Sequence, residues 1–466
     1  MQFVSTRGKT KPLGFCDTVL AGLADDGGLF LPEVWPRFSA DEIIGFANRP
    51  FAEIAFEVIS RFVDGEIPDK ELRRILHEAY AGFSHPSTAP VVELEPGHFV
   101  LELFHGPTLA FKDVAMQFLG RTMDHILIDK GLKATIVGAT SGDTGSAAIE
   151  AFRGRENIDI FILHPKGRTS DVQRRQMTTV FDDNVHNIAL EGTFDDCQHI
   201  VKAMFNNSKF RTKARLSGVN SINWGRIVAQ IVYYFTSAVA LGAPYRDIAF
   251  TVPTGNFGDI FAGYCAKRMG LPISKLIIAT NENDILRRAF DTGHYDTDVV
   301  KPTSSPSMDI QISSNFERLL FEMLEGDAAE VNRLMASLVQ SGGFAIPPSS
   351  LEKLHGDFTA GTTNERETAA VMQSVYAQSG YLVDPHTAVA IHVARSNMSP
   401  KIPMISLATA HPAKFPDAVF RATGISPELP KRVGDLDKKE ERVTVLSNDQ
   451  AVVEGVVSAR SRAWEE

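Results

Sequence analysis

The sequence predicts an α/β protein: mostly parallel sheets with helices on both faces in two lobes, plus a small N-terminal accessory domain. Three observations lead to that class. From about residue 134 onward, short apolar runs alternate with helical stretches, as parallel strands do when crossover helices cover them. Before about residue 90 the pattern differs, with helical segments and no such alternation. Finally, 466 residues exceed what one hydrophobic core usually supports, so two or three packed units of roughly 100–200 residues each are expected.

After an extended start, QFVSTRG, helical periodicity covers residues 40–62 and 70–80, with breakers at Asp64-Gly65 and Pro68 between them. A proline-marked connector from His85 to Pro90 closes this accessory unit, set at residues 1–92. A helix starts near Lys112 and runs to Leu119. Strands are expected at 134–138, 159–163 and 184–190, and helices at 146–152, 170–177 and 194–205, with Ser170 as an N-cap. Residues 93–226 then form one lobe. The stretch 227–245 holds no charge for 19 residues, enough on length alone to span a bilayer. It contains Gln230, Thr236 and Ser237 and ends in a Gly-Ala-Pro breaker, so a helix buried inside a large protein is the better account. The second lobe, 227–430, continues with strands at 248–252, 276–279 and 403–408 and helices at 259–269 and 284–290. Residues 431–466 open with a dense charge run from Asp435 to Arg442 and are expected to form a charged, solvated tail.

Composition narrows the function classes. With 44% hydrophobic and 22% charged residues, the chain is neither disordered nor fibrous. A net charge of −10 leaves no broad basic surface for nucleic acid, though a local basic pocket is compatible with it. Cys16, Cys197 and Cys265 are widely spaced without a CxxC, which argues against a disulfide framework or a zinc site and for a reducing, cytoplasmic setting. Asp25 and Asp26 interrupt the one apolar candidate near the start, so neither a signal peptide nor a membrane partner is expected.

In open α/β sheets, ligands gather where strands end and helices begin, because loop amides and helix dipoles converge there. Three such junctions have unusual composition: Ala139-Thr140-Ser141-Gly142-Asp143-Thr144-Gly145, Pro253-Thr254-Gly255-Asn256-Phe257-Gly258-Asp259, and Thr409-Ala410-His411-Pro412-Ala413-Lys414. The first two combine glycines with hydroxyl and amide donors ahead of a helix, which suits a ligand with two anionic groups or two ligands side by side. Taken singly, each is as well explained as a structural turn. Neither has the GK[ST] ending of a nucleotide loop, no G-x-G-x-x-G follows a strand, and no HExxH, GxSxG or metal-ligand spacing occurs, so no metal is expected. A fourth element, HGPTLAFKD, sets Lys112 among aromatic and apolar neighbours. Burial would lower its pKa and free the amine for a Schiff base. The alternative is a surface lysine at a helix start, paired with Asp113.

HGPTLAFKD (105–113), ATSGDTGSAA (139–148), TVPTGNFGD (251–259) and ATAHPAKF (408–415), in this order, resemble the threonine synthase family, pyridoxal-phosphate enzymes of the fold that includes the tryptophan synthase β-subunit. STRG (5–8) with GLADDGGLF (22–30) resembles the N-terminal domain of the family's bacterial and fungal branch. The resemblance implies that Lys112 forms the Schiff base with pyridoxal 5'-phosphate. It implies that Gly255, Asn256, Phe257, Gly258 and Asp259 hold the cofactor phosphate end and that Thr409 bonds the pyridine nitrogen. Thr140, Ser141, Gly142, Asp143 and Thr144 would receive the substrate carboxylate or lie against the cofactor ring. Ser221, Asn223 and Arg226, in NSINWGR, would take the substrate phosphate. The implied reaction converts O-phospho-L-homoserine and water to L-threonine and phosphate; a phospho-lyase or serine/threonine dehydratase of the same fold is the alternative. From another class, a phosphotransferase using the two Gly-rich loops is a rival. A monomer or homodimer is expected. One position departs from the pattern: many relatives of this fold have Asn where Asp143 stands. A carboxylate there would repel the cofactor's phenolic oxygen, so Asp143 is expected to be turned away or protonated. Ser5, Thr6 and Arg7 either pack the N-terminal unit against the catalytic lobes or line the site.

Overall fold

The computed structural model describes residues 1–464. In chain order its strands are β1 (Phe3–Ser5), β2 (Phe30–Pro32), β3 (Val91–Glu95), β4 (His98–Glu102), β5 (Ala134–Ala139), β6 (Ile158–Pro165), β7 (Val185–Glu191) and β8 (Leu216–Ser217). They continue with β9 (Ile248–Pro253), β10 (Ile273–Thr280), β11 (His294–Asp296), β12 (Gly343–Ala345), β13 (Phe358–Thr362), β14 (Met404–Ala408) and β15 (Thr444–Ser447). Two sheets dominate. One has the order β13-β10-β9-β14-β4-β3 and is parallel except for β3; the other, β15-β7-β6-β5-β8, is parallel throughout. Every residue of β6 and β9 is buried, because helices cover both faces of such sheets and leave no wet side to alternate toward.

Most of the uncharged stretch lies in the helix Trp224–Ala240, buried along nearly its whole length. It packs against the helices Phe51–Val63, Lys112–Lys130 and Gly258–Arg268 and so joins the N-terminal domain to both lobes. Trp224 meets Phe3 and Phe62 at ring-centroid distances of 5.6 Å each, and Phe235 meets Phe38 at 5.2 Å. No helix among the described residues is long and apolar enough to cross a membrane. The N-terminal hydroxyls and guanidinium serve this packing. Thr6 donates to Glu317 at 2.6 Å, Arg7 binds Glu317 at 2.7 and 2.9 Å, and Ser5 donates to Asp26 at 2.7 Å.

Several expectations change. The helix expected at 40–62 is two helices, Ala40–Ile44 and Phe51–Val63. Ser39 and Glu42 form a capping box at the first, Asn48 takes a left-handed φ of 61°, and Pro50 precedes the second, where its missing N–H costs nothing. β3 and β4, which fall largely in the range set for the first lobe, belong to the sheet of the second, because β4 pairs with β14 from Met404↔His98 onward. The C-terminal segment is not a solvated tail. β15 extends the five-stranded sheet beside β7, and the helix Gln450–Arg460 buries Val453 and Val457 in that lobe's core. Arg462 closes it with a 2.8 Å ion pair to Asp159. The charge run of 435–442 masks the short apolar periodicity that follows it.

If that segment is part of the core, Val457→Ala should lower the unfolding free energy by about 1.5–3 kcal/mol, from lost apolar burial plus a cavity. Urea unfolding checks this, and an unchanged midpoint would mean that the segment is peripheral.

Candidate active site

Lys112 owes its place to a chain segment that runs alongside the end of β14. Leu103 donates to the Ala408 carbonyl at 3.0 Å, His411 to that of Leu109 at 3.0 Å, and Phe111 to that of Thr409 at 2.8 Å. Leu109 accepts a left-handed φ of 66° to make the turn, after which Lys112 begins its helix, buried. Thr409 is thereby set beside Lys112, although the two are almost 300 positions apart. Asp113 is not the lysine's partner. Its carboxylate turns back to accept from the Thr108 amide at 2.8 Å and hydroxyl at 2.6 Å. Burial raises its pKa to about 6, against the pull of Thr108 and Lys414.

The carboxylate that faces Lys112 is Asp143, the first residue of the helix Asp143–Phe152. Its Oδ2 lies 3.7 Å from Lys112 Nζ, while Oδ1 lies 2.8 Å from Lys414 Nζ and accepts from the Gln173 amide at 2.9 Å. Burial opposes its ionisation, but Lys414, Lys112 and Gln173 outweigh burial and hold it well below the usual carboxylate range. Asp143 thus faces Lys112 with its carboxylate held toward the ionised form, because Lys414, a buried cation invisible from the local motif, compensates it. Within the loop, the Thr140 hydroxyl oxygen accepts from the Gly142 and Gly145 amides at 2.9 Å each, so it shapes the turn. Gly142 adopts φ 149°, and a Cβ there would stand 2.4 Å from the Gln173 side chain. Ser141 and Thr144 are half-buried.

At the other lobe, Gly255 and Asn256 are fixed by their carbonyls. Ser313 donates to Gly255 at 2.6 Å, and Asn315 gives its backbone and side-chain N–H groups to Asn256 at 3.0 and 2.9 Å. Phe257 is left-handed, φ 62°, with its ring buried against Phe316 at 5.5 Å. The helix Gly258–Arg268 follows, and its first N–H groups are free of intrahelical partners, the arrangement that attracts a phosphate. A Cβ on Gly255 would meet the Ser307 carbonyl at 2.7 Å. The NSINWGR segment abuts this loop, since the Ser221 carbonyl lies 3.7 Å from where a Gly258 Cβ would sit.

Arg226 is buried, and its guanidinium makes one long hydrogen bond, 3.4 Å, to the Val219 carbonyl, with Nε unpartnered among the described residues. Burial lowers its pKa to about 10, with Tyr233 and Asp259 opposing. At Lys112 loss of hydration on burial dominates, the Arg226 and Lys414 cations add to it, Asp143 and Asp113 oppose it, and the amine falls below the ordinary lysine range. A buried cation without a carboxylate at ion-pair distance is costly unless a ligand anion completes it.

Two of the expected site residues are otherwise engaged. Asn223 caps the helix Trp224–Ala240, its side-chain oxygen accepting from Gly225 at 2.9 Å and its amide donating to Val19 and Gly218 at 2.9 and 3.0 Å. No donor is left for a phosphate. Asp259 accepts from the Tyr233 and Tyr234 hydroxyls, and burial raises its pKa to about 6 against their pull. It braces the loop from behind. Sequence reasoning gave Lys414 no role beyond its loop and passed over Gln173, Ser313, Asn315 and Arg318. The available signal was a dense polar run, QISSNFER at 311–318.

These residues suit pyridoxal phosphate: a buried amine of lowered pKa, a helix start with its loop carbonyls tied away, and an unpaired buried arginine within one cluster. Comparison with known proteins agrees. Residues 2–80 match the family described as threonine synthase N terminus, 87–406 the pyridoxal-phosphate dependent enzymes, and 387–457 threonine synthase, C-terminal. The threonine synthase of Pseudomonas aeruginosa is 52% identical over 98% of both chains, and that of Schizosaccharomyces pombe 45% over 90% of this chain and 88% of its own. Among solved structures, pyridoxal-phosphate-bound threonine synthase from Brucella melitensis superposes with a TM-score of 0.97 at 57% identity, covering 99% of this chain and 100% of that one. The yeast enzyme gives 0.93 at 39% identity over 98% of each. The chain belongs to the threonine synthase family of pyridoxal-phosphate-dependent enzymes.

Proposed function

We propose that the chain converts O-phospho-L-homoserine and water to L-threonine and phosphate. The observation that carries this beyond family membership is Arg226, a buried guanidinium that acts electrostatically on Lys112 and has no acid partner at ion-pair distance among the described residues. A substrate that brings its own phosphate supplies the missing anion. On this reading, the amides of Gly255, Asn256, Phe257 and Gly258 hold the cofactor phosphate and Thr409 bonds its pyridine nitrogen. Thr140 to Thr144 offer the helix start at Asp143 to the substrate carboxylate, and Arg226 with Ser221 takes the substrate phosphate.

The bound cofactor supplies a conjugated ring that accepts negative charge from the substrate carbon skeleton. Lys112 carries the protons. Burial lowers its pKa, which favours the neutral amine that removes the proton at Cα and moves protons at Cβ and Cγ as the Cγ–O bond to phosphate breaks. Arg226 holds the departing phosphate with charge-assisted hydrogen bonds. With a second pKa near neutrality, the retained phosphate is matched to take a proton from the water that adds at Cβ. Burial of Lys112, Asp143 and Arg226 excludes bulk water from these steps. Cys16, Cys197 and Cys265 are free thiols, which supports a reducing, cytoplasmic setting.

Incubation with O-phospho-L-homoserine is expected to yield threonine and phosphate; 2-oxobutyrate instead would identify a phospho-lyase. Lys112→Ala should lower turnover by about three orders of magnitude or more and abolish the visible absorbance band that borohydride removes in the parent protein. Arg226→Ala should raise KM for the phosphorylated substrate about 10- to 100-fold, the worth of a lost charged hydrogen bond. Steady-state kinetics read this, and an unchanged KM would place the substrate phosphate elsewhere.

A further inference from the structure

Lys414 has no part in the roles above, yet it is fully buried, more deeply than Lys112 or Arg226. Its ammonium donates to Asp143 at 2.8 Å and to the Thr108 carbonyl at 2.7 Å. A buried ion pair of this kind is weak evidence for a stabilising role, since apolar residues of similar volume commonly serve stability as well or better. Its partners, in contrast, all converge on Lys112. Asp143 presents its other oxygen to Lys112 at 3.7 Å. Thr108 is held by Asp113, the residue next to Lys112. Gln176 also donates to the Thr108 carbonyl, at 3.1 Å, and Gln173 to Asp143, so the helix Asp171–Thr178 braces both ends of the arrangement. Lys414 follows β14 of the six-stranded sheet, and Asp143 follows β5 of the five-stranded one, so the pair also crosses between lobes.

We propose that Lys414 is a positioning residue that acts through Asp143, holding that carboxylate in place and balancing its charge beside the Lys112 nitrogen. The inference rests on Lys112 being the cofactor lysine. The chain places a charged residue at this loop and supplies the opposite charge from the other lobe. The charged groups that face Lys112 are Asp143 on the helix Asp143–Phe152, Arg226 on Trp224–Ala240, Lys414 after β14, Asp113 on its own helix and Asp259 on Gly258–Arg268. Asp113 and Asp259 are engaged by Thr108 and by two tyrosines. Asp143 and Lys414 therefore set the local balance, with Arg226 as a fixed cation. Removing Lys414 leaves an uncompensated carboxylate beside the Lys112 nitrogen, which favours the protonated form of that nitrogen. Removing the Asp143 charge does the reverse.

The test is a pH titration of the visible absorbance of the cofactor-loaded protein, which reports protonation at the cofactor-bound lysine independently of turnover. Lys414→Met should move the midpoint up by about one pH unit, a tenfold change in the equilibrium. Asp143→Asn should move it down by a similar amount, and the double variant should return it to within about half a unit of the parent. Lys414→Arg, which keeps the charge, should stay near the parent. A Lys414→Met protein that binds cofactor, melts at a lower temperature and shows an unmoved midpoint overturns the proposal, because a merely structural lysine behaves so. If Lys414→Met does not fold, Asp143→Asn decides: no downward shift is equally fatal. A parent protein with no visible band overturns the cofactor assignment and this inference with it; a band present but unmoved overturns this inference alone.

Discussion

A carboxylate clasped between two buried ammonium groups sits where the two lobes meet, and the rest of the site is arranged around it. Asp143 comes from the end of β5, Lys414 from the end of β14, and Lys112 from the segment that pairs with β14. Each charge alone would be expensive so far from water; together, two cations and one firmly ionised anion offset much of that cost. Arg226 lies outside this local compensation. Asp113 and Asp259 are engaged by Thr108 and by two tyrosines, which leaves Arg226 without a carboxylate at ion-pair distance among the described residues. A protein with a net charge of −10 therefore still offers a local cation to ligands that carry phosphate. Global charge governs the surface, whereas local geometry governs the pocket.

The second constraint is that a phosphate-binding loop must keep its amides pointed at the ligand without an occupant to hold them. Here the carbonyls do the holding. Ser313 and Asn315 take those of Gly255 and Asn256. Arg318, fully buried, binds the Asn315 side chain and the carbonyls of Ile222 and Phe30. Its neighbour Glu317 is gripped by Thr6 and Arg7. The N-terminal domain thus reaches the cofactor loop through one short helix, Phe316–Met323, rather than by lining the site. This also explains why the stretch 5–8 is polar yet packed.

Much of the catalytic constellation was legible because glycines and hydroxyls at strand-to-helix junctions have local causes. Gly142 needs its φ of 149°, and Gly255 has no room for a Cβ beside Ser307. The long apolar helix was legible for a similar reason, since burial on every face leaves no polar stripe. The engagement of the Asn223 and Asp259 side chains within the protein was not legible, because a polar residue beside a motif looks the same whether it caps a helix, braces a loop or meets a ligand. Lys414 was visible only as a lysine in a loop. The C-terminal strand and helix were hidden behind a charge run, and the segment 291–403 carried amphipathic helices whose mixed composition gave little contrast.

The sequence by itself determined the class of fold, the glycine- and hydroxyl-bearing strand-to-helix junctions and the family, because these depend on local backbone geometry and on short motifs in order. Only the tertiary structure decided which strands share a sheet, that Lys414 and Lys112 flank Asp143, that Asp113 serves Thr108, and that no acid among the described residues pairs with Arg226. Those outcomes turn on which charges meet across hundreds of residues in a place without water. There the cost of an unpaired charge is high enough for one distant contact to reverse what the local sequence suggests.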